Sequence, residues 1–99
     1  MSEQLDAECS EYMKLLGARI KAIRKVRGLT LRDMVVKYDY HESQWRRYER
    51  GGSITLPSLY RIAKALGLSV AILCDVFGEY QVGKIDDVAV KLKRRRLKE

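Results

Sequence analysis

At 99 residues the chain has room for one domain with a modest core, and 20 Lys and Arg against 13 Asp and Glu leave a formal charge of +7. That charge favours an anionic partner, nucleic acid first and an acidic membrane surface second. Cys9 and Cys74 lie far apart with no C-x-x-C spacing and only His41 for company, which argues against a disulfide framework or a metal site, and the apolar run from Leu66 to Phe77 is too short and too broken to cross a bilayer.

The first nine residues, within MSEQLDAECSE, are acidic and weakly periodic. They do not have the basic-then-apolar order of a leader, so a cytoplasmic protein is expected. A flexible extension is expected over 1–9, although Leu5 and the acids around it could prolong the helix that follows. From Ser10 to Arg27, Met13, Leu16, Ile20, Ile23 and Val26 recur three or four apart, the pattern of an amphipathic helix, and Gly28 stands where a left-handed cap is wanted. Thr30 opens a second helix at Leu31. Its T-x-x-D spacing to Asp33 is a capping-box variant, in which the hydroxyl and the carboxylate each take up a free backbone amide. Leu31, Met34 and Val35 form its apolar face, and Asp39, which tolerates a positive φ, ends it after Tyr38.

A sharp turn leads to a third helix, from His41 or Glu42 to Arg50. Trp45 and Tyr48 lie three apart on one face, and Glu42, Ser43, Arg46, Arg47 and Arg50 project from the other until Gly51 and Gly52 stop the helix. Pro57 suits the first turn of a fourth helix with the stripe Leu59, Ile62, Ala63 and Leu66, ending at Gly67. Ser69 can cap a fifth, holding Val70, Ile72, Leu73, Val76 and Phe77 and closed by Gly78. That helix is too apolar for so small a bundle to cover. Val70, Ile72 and Phe77, with Val82, Ile85 and Val88, are therefore expected to form a two-fold interface.

Past Gly78 the pattern divides. Ile85, Val88, Ala89 and Leu92 fit a helix with Asp86 and Asp87 in its first turn, yet Val88, Val90 and Leu92 also alternate as in a strand. The closing KLKRRRLKE is either a solvated tail or a phosphate-binding arm. The organisation expected is an extension over 1–9, a helical domain over 10–78, and a C-terminal extension with a basic tail over 79–99.

Three stretches taken together, LGARIKAIRKVRGLTLRDMV, ESQWRRYERGG and LPSLYRIAKALGLSV, resemble the Cro and phage-repressor type of helix-turn-helix domain, the XRE-like family. The resemblance runs from about Leu16 to Leu73 without an insertion. It implies an all-α, five-helix, lambda-repressor-like domain, commonly dimeric, whose third helix lies in the major groove of double-stranded DNA. By the family's pattern Glu42, Ser43 and Arg47 face the bases with Arg46 alongside. His41 and Gln44 lie at the same end, and Arg50, Gly51, Gly52 and Ser53 approach phosphates. The same pattern pairs Glu49 with Arg24 of the first helix. Departures are Leu31 where Gln is frequent, Asp39 where Gly is, and Trp45 where a smaller aliphatic residue is.

The residues also admit other readings. Trp45 and Tyr48 could stack single-stranded bases but at this spacing suit a core, and Glu49 could be a catalytic acid, but the resemblance implies a structural pair with Arg24. With no paired nucleophile and base, no metal cluster and no glycine-rich phosphate loop, neither an enzyme nor a cofactor is expected. The leading expectation is a sequence-specific transcriptional regulator bound to a two-fold operator as a dimer. The alternatives are an antitoxin-like interaction protein whose C-terminal segment wraps a protein partner, and an RNA-binding module using the basic tail.

Overall fold

Helix starts after the first are set by local chemistry. The hydroxyl of Thr30 accepts a hydrogen bond from the Asp33 amide at 3.1 Å while the Asp33 carboxylate accepts from the Thr30 amide at 2.8 Å, a complete capping box. Thr55 and Ser69 accept from the amides of Ser58 and Ile72 in the same way. The computed structural model describes residues 2–78, which form five helices: α1 Ser2–Val26, α2 Leu31–Tyr38, α3 Glu42–Glu49, α4 Leu56–Ala65 and α5 Val70–Cys74. No strand occurs among the described residues, and no described helix is long and apolar enough to cross a membrane. Asp39 takes the left-handed conformation between α2 and α3 (φ 59°). Gly28 takes it after α1 (φ 72°), where its amide and that of Leu29 close onto the carbonyls of Lys25 and Arg24.

Two boundaries differ from those expected. Residues 2–9 are not a flexible extension but the first turns of α1, which begins at Ser2 rather than Ser10. Their side chains are exposed, so this arm has no buried face and needs no apolar periodicity. Ala7, the straight-chain residues and Glu3 at the positive end of the helix dipole support the helix without one. The fifth helix ends at Cys74 instead of continuing to Gly78. There α1 caps it: the Arg19 guanidinium donates to the carbonyls of Leu73 (3.0 Å) and Ile72 (2.8 Å), and the Tyr12 hydroxyl donates to that of Cys74 (2.5 Å). The Tyr12 hydroxyl and the Cys74 thiol both titrate above their ordinary values, chiefly because they are withdrawn from water.

The core draws on every helix: Leu16 and Ile20 from α1, Met34 from α2, Trp45 and Tyr48 from α3, Ile62 and Ala63 from α4 with Leu66 just beyond it, and Leu73 from α5. Each large apolar side chain so buried contributes about 1.5–3 kcal/mol of transfer free energy. Trp45 is the largest of those fully enclosed, with the Tyr40 ring edge-on at 4.9 Å and the Tyr48 ring at 6.3 Å. The helix or strand expected near Ile85–Leu92, the interface residues Val82, Ile85 and Val88, and the basic tail lie outside the described residues.

Candidate nucleic-acid interface

A helix of eight residues is too short to hold itself together in water, so α3 depends on what grips it from behind. Trp45 and Tyr48 anchor its inner face in the core. Its last residue, Glu49, is tied to α1 by Arg24, whose Nε and Nη2 donate to the carboxylate at 2.6 and 3.2 Å, with both side chains only 7% exposed. The Trp45 indole N–H donates to the same carboxylate at 2.5 Å, and Arg24 also reaches the Leu29 carbonyl at 2.9 Å. A buried pair satisfied on this many sides offsets its desolvation and fixes the position of the helix end.

Gly17, which the helical pattern alone does not single out, makes the approach possible. A Cβ at this position would lie 2.6 Å from the Glu49 carbonyl oxygen, 2.7 Å from that of Tyr48 and 2.8 Å from the Gly51 amide. The end of α3 therefore rests directly on the α1 backbone. A glycine inside an otherwise regular helix costs about 1 kcal/mol relative to alanine, and that cost was the available signal that something packs there. Beyond α3 the chain turns through Gly51 (φ 96°), whose missing side chain would meet the Lys14 backbone at 3.0 Å. A Cβ on Gly52 would lie 2.6 Å from Cγ of Arg47, so the Arg47 stem runs over this turn.

The opposite face of α3 is polar and open. His41, at the N-cap without a side-chain bond to the helix, is exposed, as are Glu42, Ser43, Arg46 and Arg47 on the helix and Arg50 and Ser53 after it. Glu42 and Arg46 form an exposed pair at 2.9 Å, one turn apart. A pair of this kind contributes about 0.3–0.5 kcal/mol and opens readily to a better partner. Gln44 is half-buried, donates to the Tyr48 hydroxyl at 2.8 Å and lines a groove of about 520 Å³ with Tyr40, Tyr60, Arg61 and Lys64. At the start of α2, Leu31 is half-buried while the cation beside it, Arg32, is exposed. The Asp33 carboxyl is held below its ordinary value by the bond from the Thr30 amide and then by the Thr30 hydroxyl. Among the described residues no three His, Cys, Asp or Glu gather as a metal site would require.

This geometry presents a short helix with donors on its outer face, flanked by a basic turn and rigidly backed. A model of the helix-turn-helix domain family matches residues 15–76. Among solved structures the chain is similar to the BldD DNA-binding domain of S. venezulae, with 36% identity and a TM-score of 0.60 over 65% of this chain and 97% of that one. No curated protein matches it. Because the family match spans more than half of the residues and takes in all of α2 to α5, the chain belongs to the helix-turn-helix domain family, in its five-helix, XRE-like and lambda-repressor-like form.

Proposed function

We infer that this protein is a double-stranded DNA-binding transcriptional regulator, acting in the cytoplasm without catalysis, that places α3 in the major groove. The observation carrying this reading is the division of α3 into two faces. Trp45 and Tyr48 are locked into the core, while Ser43, Arg47, Arg50 and the paired Glu42 and Arg46 are exposed to solvent on a helix whose end is clamped by Arg24 and Glu49. A reading helix needs such a division: it must not move, and its outer side chains must be short or forked. The likeness to BldD, whose matched domain is a DNA-binding one, supports the same reading.

In this arrangement Arg47 reads guanine through its two parallel donors, Ser43 and Glu42 reach neighbouring base edges, and Arg46 joins them when it leaves Glu42. His41, Arg50, Ser53 and the amide-rich turn at Gly51 and Gly52 lie along the phosphates and set the register. Gln44 orders the Tyr48 hydroxyl and meets DNA only at its edge. Two copies sit on a two-fold operator through the exposed side of α5 at Ile72, with half-sites about 34 Å apart.

Selection of bound sequences from a random DNA pool tests the whole reading. An enriched inverted repeat with that spacing is expected. Failure to enrich any sequence, together with co-purification of a protein lost on deleting residues 79–99, would transfer the function to the interaction-protein alternative.

A further inference from the structure

The first turns of α1 form an acidic arm. Glu3, Asp6, Glu8 and Glu11 lie on it with no Lys or Arg before Lys14, in a protein whose charge is otherwise strongly positive. Among the described residues none of the four carboxylates is within ion-pair distance of a base, and the hydrogen bond found for them is a weak 3.4 Å contact from Gln4 to Glu8. The arm also lines an open hollow. Leu5, 66% exposed, and Phe77, 62% exposed, line an open, largely apolar hollow of about 720 Å³ together with Ala7, Glu8, Glu11 and Tyr12, with the Phe77 ring 6.1 Å from that of Tyr12. Four acids with no base beside them among the described residues, next to an open apolar hollow, form the surface of one partner in a contact.

The rest of the chain starts at the mouth of this groove. Gly78 follows Phe77, and the segment after it carries Val82, Ile85 and Val88, with Asp86 and Asp87 between the last two, and then six cations, Lys91, Lys93, Arg94, Arg95, Arg96 and Lys98, interrupted by Leu92 and Leu97. Apolar residues followed by a basic block complement an apolar hollow bordered by acids. The distance is short: from Tyr12 to Glu3 the helix rises about 13 Å, and 21 residues cover that many times over when extended.

We propose that residues 79–99 dock in cis along the acidic arm of α1, with their apolar residues in the hollow between Leu5 and Phe77 and their basic block on Glu3, Asp6, Glu8 and Glu11. Docked there, the six cations are withheld from phosphate, and the arm acts as an internal competitor for nucleic acid. The proposal does not rest on the reading of α3.

Hydrogen exchange in the full-length chain at low ionic strength and without DNA tests it. The probes are the amides of residues 6–11, since those before them have no partner within the helix. In Arg94→Gln/Arg95→Gln/Arg96→Gln the arm is untouched, and exchange there is expected to accelerate about tenfold, the sum of several exposed pairs lost together. Glu3→Lys/Asp6→Lys/Glu8→Lys should show the same acceleration. Adding Arg94→Glu/Arg95→Glu/Arg96→Glu to that variant should restore slow exchange, which a mere change in helix propensity would not do. Unchanged rates in the glutamine variant overturn the proposal, as does protection that rises with protein concentration, the sign of a second copy's tail on the arm.

Discussion

Gly17 of α1 faces the carbonyl oxygen of Glu49 so closely that a β-carbon would stand 2.6 Å away, inside any tolerable contact. In an isolated helix Gly17→Ala would gain about 1 kcal/mol of propensity. Here all three obstructing atoms are backbone, so α1 and α3 must separate, and a net loss of about 1–3 kcal/mol is expected. Urea unfolding followed at Trp45 measures it. A variant as stable as the parent, or more so, would show that the helices have room to spare.

The clamp between Arg24 and Glu49 gives a graded series. Arg24→Met leaves a buried carboxylate with the Trp45 indole alone for a partner and should cost about 3–5 kcal/mol. Glu49→Gln keeps an oxygen for that indole and should cost less. Equal losses in the two variants would mean that leaving Arg24 without its anion costs as much as leaving the carboxylate without its cation.

Asp33 links stability to acid. Its carboxyl titrates below the ordinary value because the Thr30 amide bonds the charged form. The unfolded chain therefore takes up the proton at a higher pH than the folded one. The stabilisation is complete above the unfolded value, about pH 4, and disappears as the pH falls through the lower folded value. The difference in urea midpoint between the parent and Asp33→Asn should be present at pH 6 and close in the acid range. A difference independent of pH would place the benefit elsewhere.

On DNA, Arg47→Ala should lose about 1–3 kcal/mol at one guanine of the selected site and little on other sequences. Glu42→Ala should relax selection at a cytosine. It should also strengthen binding to random DNA, because Arg46 loses the carboxylate that holds it at 2.9 Å. Binding curves on selected and random duplexes at one salt concentration decide this, and unchanged preference in both variants would sink the assignment.

The features legible in the sequence share a physical cause. The capping box of Thr30 and Asp33, the left-handed Asp39, the Ser69 cap and the inward pair Trp45 and Tyr48 are each set within a few residues, so a local pattern carries them. The arm before Ser10 was obscured because an exposed helix has no core face to write a period into the sequence. The early end of α5 was hidden for the opposite reason: it depends on Arg19 and Tyr12, far away in the chain. Gly17 combined the two difficulties, being small, inside a regular helix, and meaningful only when another backbone arrives. Of the interface, the exposed positions of α3 could be read from its pattern. The pairing of Glu42 with Arg46 and the turning aside of Gln44 toward Tyr48 required side-chain geometry.

The capping of α5 also sets an order of assembly. The five-residue helix has its final carbonyls satisfied by donors 53, 54 and 62 residues earlier in the chain, and a helix of that length has no independent existence. It can form only once α1 has folded and the intervening chain has closed on it, so it belongs to the late side of the folding barrier. Weakening Arg19 should then hasten unfolding while leaving the refolding rate nearly unchanged.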